Sequence, residues 1–405
     1  MENRNIVILT QYFAPEMGAP QSRLLEMAKG LKNRGWNVSV ITSLPNYPTG
    51  KIFTDYKGKL TVQEKIEDIN VHRYWIYASN SKRAFPRIIN MLSFSILSLF
   101  AFNKIRKIRP AFIITESPPL TLGLSGLALS KFCKAKHILN VSDIWPLSAY
   151  ELGALSKGRL YNVLEALENF LYKKSYGCLG QSQEIVDHIQ NNGISRVCLF
   201  RNGVDIKRFD ITKPDKDTTG QPLEIVYAGL LGVAQGILNL CKKINFADLG
   251  AKLHIYGGGN EEENLKSFLK ENPNRSIVFH GRLNREEVPA ALIKYDITLI
   301  PLQKEIFGAV PSKIYESMAA GLPILFAGGG EGATIVKNYG AGWICAPSDF
   351  EDMKKILQKI VHTPKQQIIN MGQHCKEIAA SQFDRSIQIN NLHHFLTQSV
   401  NAKNN

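Results

Sequence analysis

A short apolar run, a loop, a helical run and a second apolar run follow one another within the first 41 residues. Ile6-Val7-Ile8-Leu9 reads as a buried strand. A loop with Pro15, Gly18 and Pro20 comes next. Leu24, Leu25, Met27, Ala28 and Leu31 then recur at helical spacing, Gly35 stops the helix, and Val38–Ile41 is the next strand. A β-loop-α-β unit predicts a parallel sheet with right-handed crossovers. Further strands are expected at Val71–Trp75, Phe112–Thr115, Ile138–Val141, Cys178–Gln181 and Val197–Phe200.

A polar stretch from Lys207 to Pro222 breaks the pattern and reads as a linker. The pattern then restarts, with strands expected at Ile225–Ala228, Leu253–Tyr256, Ile277–Phe279, Ile297–Ile300, Ile324–Phe326 and Gly342–Cys345. Asn284 followed by Glu287 has the spacing of a helix capping box. With 405 residues, two α/β domains are expected, 1–205 and 206–381, with a final helix near 382–405 packing back on the first. Doubly wound sheets bind ligands at their strand carboxyl ends, so a central cleft between the two is expected.

Charge separates the halves. Residues 1–210 hold 28 basic and 16 acidic side chains, whereas residues 211–405 hold 21 and 19, out of a net +14 for the chain. A basic first half attracts nucleic acid, an anionic membrane or a polyanionic substrate. The six cysteines form no C-x-x-C pair, which points away from zinc and disulfide scaffolds and toward reduced thiols in the cytoplasm. The run Ile6–Leu9 is too short for a signal-peptide core, so a cytoplasmic chain is expected.

Eleven of the sixteen residues in Ile88–Asn103 are apolar, and basic residues flank it: Lys82, Arg83 and Arg87 before, Lys104, Arg106, Lys107 and Arg109 after. The segment is shorter than the roughly 20 residues of a spanning helix. It reads either as a helix packed on the sheet or as one partly inserted at an anionic membrane surface.

Three turns are candidates for ligand chemistry. Gly18 lies between the first strand and helix, where backbone N–H groups can hold an anion. Gly229, Gly232 and Gly236, with Gln235, occupy the matching place in the second half. In Pro311-Ser312-Lys313-Ile314-Tyr315-Glu316, Ser312 is a good N-cap and Lys313 falls in the first helical turn. The helix dipole disfavours a cation there, which suggests that Lys313 meets an anionic ligand. Glu316, three residues on, shares its face; a plain surface pair is the alternative.

In their order, Tyr12-Phe13-Ala14-Pro15-Glu16, Arg201-Asn202-Gly203-Val204-Asp205, Tyr256-Gly257-Gly258-Gly259, Glu316 with Ala319-Ala320-Gly321-Leu322-Pro323, and Gly340-Ala341-Gly342 resemble glycosyltransferase family 4. These are retaining nucleotide-sugar transferases with two Rossmann-like doubly wound domains, the GT-B fold. Asn46–Lys51, Glu116–Thr121, Asp143-Ile144-Trp145-Pro146 and Gly232–Gly236 look most like bacterial surface-polysaccharide enzymes of the L-fucosamine transferase type. Two departures stand out. The family's first acidic residue, eight positions before Glu316, is Gly308. Its Arg and Lys at the second-domain turn have no basic counterpart in Leu231–Gln235.

The resemblance implies transfer from a UDP-sugar, such as one of N-acetyl-L-fucosamine, to a polyprenyl-diphosphate-linked sugar in capsule, O-antigen or exopolysaccharide synthesis. The expected donor site is Gly18, Gly232, Gln235, Gly258, Arg282, Lys313 and Glu316. Lys313 replaces the missing diphosphate cations, with Arg201 as an aid. Glu316 holds the ribose hydroxyls, and the base lies near Gly281-Arg282-Leu283. Asp143 orients the sugar, or else caps a helix. Lys51, Arg83 and Arg87 are expected to meet the acceptor at the inner face of the cytoplasmic membrane. No metal is expected: no carboxylate pair stands at ligand spacing, and the nine histidines form no H-x-x-x-H. A nucleotide-sugar 2-epimerase of the same fold is the rival enzyme, and a nucleic-acid-binding protein is the rival from another class, though no recognition motif supports it.

Overall fold

The computed structural model describes residues 3–81, 83–211 and 222–401. The chain forms two units, Met1–Asn202 with Gln388–Asn405, and Gly203–Ile387. Both are Rossmann-like α/β units.

The first unit holds an eight-stranded sheet: β1 Asn5–Leu9, β2 Asn37–Ser43, β3 Thr61–Ile66, β4 Ile69–Tyr74, β5 Phe112–Ser117, β6 Lys136–Val141, β7 Gly177–Gly180 and β8 Val197–Leu199. The spatial order is β3-β4-β2-β1-β5-β6-β7-β8, parallel except for β3 against β4. Buried on both faces, β1 and β5 read as continuous apolar runs and match expected strands. The edge strand β3 matches none: its sequence TVQEKI alternates exposed with half-buried residues and lacks an apolar run. The chain moves one way from β1 to β2 and returns on the other side with β5. That reversal opens a crevice at the carboxyl ends of β1 and β5.

The last helix, Arg385–Asn401, buries Ile389, Leu392 and Leu396 in the same core as Ile6, Leu24 and Phe112. The apolar segment forms the helix Ala84–Leu97, a short 3₁₀ turn and the helix Phe102–Ile108. Together these give a helical run of 24 residues, Phe85–Ile108, long and apolar enough to cross a membrane by length and composition, which corrects the shorter reading. One face is packed in the first unit: Phe94, Ala101 and Ile105 join Val7, Leu9 and Ile113, and Ser95 bonds to Thr121 at 2.8 Å. The other face exposes Phe85 (72%), Ile96 (58%) and Phe100 (72%), along with Ile88 and Leu92. The helix is thus packed on the first unit along one side, as the first of the two readings expects, and carries an exposed apolar stripe along the other.

The second unit holds a six-stranded parallel sheet: β9 Leu223–Ala228, β10 Ala251–Tyr256, β11 Ile277–Gly281, β12 Ile297–Pro301, β13 Ile324–Ala327 and β14 Gly342–Cys345. Its order, β11-β10-β9-β12-β13-β14, reverses between β9 and β12. All six match expected runs. Residues 212–221 of the expected linker lie outside the described residues, as does Lys82. The Asn284–Glu287 pair does not cap a helix. Glu287 accepts from the Asn284 N–H at 2.8 Å in a turn, and the helix begins at Val288. The six cysteines are free thiols.

Candidate active site

In the second unit, the reversal between β9 and β12 places Ala228-Gly229-Leu230 at a crevice. A pocket of about 460 Å3 lies there. Its lining includes Gly229, Tyr256, the Gly257–Gly259 run, Arg282, Leu283, Lys313 and Glu316. The glycines are required by close approach. The N–H of Gly229 donates to Tyr256 O at 2.9 Å, and that of Leu231 to Gly258 O at 3.0 Å. A Cβ on Gly257 would overlap Gly229 O, and one on Gly229 would overlap the Lys313 ammonium.

Lys313 is the first residue of the helix Lys313–Ala319. Ser312 takes the N-cap position, but its side chain makes no capping bond, contrary to expectation. The Lys313 ammonium donates to the Tyr227 hydroxyl at 3.2 Å, and that hydroxyl donates to Leu230 O at 2.5 Å. Tyr227 is wholly buried, so its ring fixes where the lysine sits. Burial pulls Lys313 down to about 8, with Glu316 opposing. Burial also raises Glu316, while Arg208, Arg285, Lys313 and Arg385 draw it back. Arg282 is largely exposed over Gly258 and forms an ion pair with Glu262 at 3.3 Å.

Of the expected donor residues in this unit, Gly258, Arg282, Lys313 and Glu316 line the pocket. Gly232 and Gln235 stand on the adjacent turn and do not line it. Gly308, where the family has its first acidic residue, is buried with φ +82°, a backbone that favours glycine.

In the first unit, the loop after β1 is tied down by Glu16. Its carboxylate accepts from the N–H groups of Phe13, Asn46 and Tyr47 at 3.1, 2.7 and 2.8 Å. Gly18 is extended at the start of the helix Ala19–Lys32. Tyr12 meets Tyr47 edge to face at 5.9 Å, and burial lifts its hydroxyl to about 12, with the nearby Arg87 opposing. Arg87, Arg83 and Lys51 are exposed.

At the carboxyl ends of β5 to β7 lies a cluster that the sequence did not announce. Buried Arg23 forms an ion pair with Glu116 and donates to Gln181 at 2.7 Å, Ser142 at 2.7 Å and Asn202 at 3.3 Å. Asp143 follows directly. Its carboxyl is solvent-accessible but crowded by protein, which raises its pKa, with Arg23 opposing. Glu168 fixes the loop beyond by accepting from the Trp145 N–H at 3.1 Å. No three potential metal ligands stand together among the described residues.

Two Rossmann-like units, the second with a glycine-walled pocket around a lysine, are the architecture of the GT-B fold. Residues 18–203 match a glycosyl transferase 4-like domain, and residues 211–381 match glycosyl transferases group 1. Each half of the chain thus carries a glycosyltransferase-family domain. A probable glycosyltransferase WbjE of Pseudomonas aeruginosa is 27% identical over 238 residues, 56% of this chain and 60% of that protein. The match thus covers less than two thirds of that relative. The fold is similar to sucrose-phosphate synthase from Thermosynechococcus elongatus, with TM-score 0.74, 16% identity and coverage of 98% of this chain and 100% of that one. It is also similar to Anabaena HepE in complex with UDP, with TM-score 0.72, 14% identity and coverage of 97% and 100%.

Proposed function

We propose that the chain is a retaining glycosyltransferase that moves a sugar from a UDP-sugar to a polyprenyl-diphosphate-linked sugar. The observation that carries this reading is the desolvated Lys313 ammonium, held by Tyr227 in a glycine-walled pocket with Glu316. A volume near 460 Å3 suits a nucleoside diphosphate. Lys313 neutralises the diphosphate as it leaves, where charge gathers in the transition state. Glu316 accepts hydrogen bonds from the ribose hydroxyls. The base lies against Gly281-Arg282-Leu283. The solved likeness to a UDP complex favours UDP.

Retention follows if the leaving phosphate oxygen takes the acceptor proton on the face it departs from. The protein then contributes positioning and charge more than acid–base chemistry. Asp143 is assigned to the hydroxyls of the reacting sugar. The sugar favoured is an N-acetylated deoxyhexosamine such as N-acetyl-L-fucosamine, for capsule, O-antigen or exopolysaccharide repeat units. The exposed apolar stripe from Phe85 to Phe100, beside Arg83 and Arg87, supports an acceptor with an anionic diphosphate and an apolar tail, met at the inner face of the cytoplasmic membrane. The matched families and relative are transferases, so neither the 2-epimerase nor the nucleic-acid reading is favoured.

The test incubates purified protein with a panel of UDP- and GDP-sugars and a lipid-diphosphate sugar in detergent. A product heavier than the acceptor by one glycosyl residue supports the reading. Epimer formation from the donor alone would replace it with the rival enzyme.

A further inference from the structure

A second cavity, of about 540 Å3, lies in the first unit on the sheet face covered by the helix Phe102–Ile108. Strand register explains which side chains meet there, because directly opposed residues share a face. Ser39, Asn70 and Lys65 form one cross-strand row, and Ile41, His72 and Gln63 form the next. Lys104 and Lys107 of the covering helix complete the lining, and Lys104 donates to Gln63 at 3.3 Å.

The charge in this cavity is one-sided. Three lysines face it, while Glu64, the one carboxylate in the lining, is engaged by Arg73 and Tyr56. Neither Lys65 nor Lys107 has a carboxylate partner among the described residues. His72 is 8% exposed, and its Nδ1 is buried without a hydrogen-bond partner. Burial and Lys104 keep its ring neutral, titrating at about 4. Three ammonium groups beside neutral polar side chains, with the one carboxylate already engaged, suit an oxyanion.

The place matters as well. Ser39 lies four residues before Ser43 on β2, roughly 13 Å along the strand. The cavity is therefore toward the amino ends of the parallel strands, away from Glu16, Glu116 and Asp143. Along the covering helical run, Ile96, Phe100, Lys104 and Lys107 succeed one another at helical spacing, so an exposed apolar stripe leads to the cavity's lysines.

We propose that this cavity binds a phosphate group, and the apolar stripe leading to it favours an anionic lipid headgroup over a free phosphate compound. This inference does not depend on the sugar-transfer reading.

The test measures full-chain binding in two arms: inorganic phosphate and glycerol 3-phosphate by calorimetry, and phosphatidylcholine vesicles with or without phosphatidylglycerol by flotation. The variant Lys65→Gln/Lys107→Gln removes two exposed cations from the cavity. Lys131→Gln/Lys173→Gln removes the same charge elsewhere on the unit. Unchanged melting confirms that both variants fold. The cavity variant is expected to bind roughly tenfold more weakly, and the control less than about twofold. A selective loss in the vesicle arm supports the headgroup, and one confined to the soluble arm supports a free phosphate at the same site. Equal losses in both variants, or no binding in either arm, overturn the proposal.

Discussion

The Lys313 ammonium stands 3.2 Å from the hydroxyl of Tyr227, 86 residues earlier in the chain, and 4.2 Å from the centre of its ring. One partner begins a helix and the other lies within β9. The topological reversal of the sheet brings them together, and the Gly229 turn leaves room for the lysine.

Replacing Lys313 with Met is expected to separate function from stability. Turnover should fall by roughly 100-fold or more, as when a group that stabilises leaving charge is removed. Folded stability should rise at pH 7. The folded-state pKa of about 8 lies below the ordinary lysine value of 10.5, so below pH 8 the folded protein bears the full cost of the buried charge. That cost fades as pH rises from 8 to 10.5. Melting curves should show the variant more stable at pH 7, by on the order of 1–2 kcal/mol after allowance for partial exposure, with the gain gone above about pH 10.5.

Gly229→Ala tests the pocket wall. The new methyl takes the space of the Lys313 ammonium, so the lysine must move. A drop of about tenfold or more in kcat/KM is expected, and folding should persist because the side-chain tip can shift. Gly257→Ala is harsher, because its Cβ meets the Gly229 carbonyl rather than a flexible side chain. It should cost roughly 1–3 kcal/mol by thermal melting.

The strands were legible in the sequence because parallel strands buried on both faces are written as unbroken apolar runs, as in Ile6–Leu9 and Ile297–Ile300. The edge strand Thr61–Ile66 was not, since it has only a half-buried alternation. Helical spacing alone was enough to pair Lys313 with Glu316, because both lie on one face of the same helix. The Tyr227–Lys313 and Arg23–Glu116 contacts join residues 86 and 93 positions apart, which local pattern cannot reveal. Gly232 and Gln235 share a turn with Gly229, and the first part of that turn lines the pocket.

Arg23→Met should show how far the first unit depends on its polar cluster. The change takes the counter-ion from Glu116, to which only Asn140 and Ser142 still donate among the described residues, and removes one donor each from Gln181 and Ser142. Loss of one member of a buried ion pair costs about 3–5 kcal/mol, and chemical denaturation should show it. Asp143→Asn removes an accessible charge without such partners. It should leave stability unchanged within about 0.5 kcal/mol while lowering turnover, and full activity would remove Asp143 from the site.

Lys313 is assigned to receive the donor diphosphate. Calorimetric titration of UDP into the wild-type protein and Lys313→Met between about pH 6 and pH 10 tests this directly, since the range spans the value of about 8 to which burial brings the lysine. Diphosphate binds the protonated amine, so wild-type affinity should be highest below pH 8 and fall as pH rises through it. The variant should bind roughly 10–100-fold more weakly at pH 7, the loss of a charge-assisted hydrogen bond, and show no such decline. Equal affinities at pH 7, or the same pH profile in both proteins, would contradict the assignment.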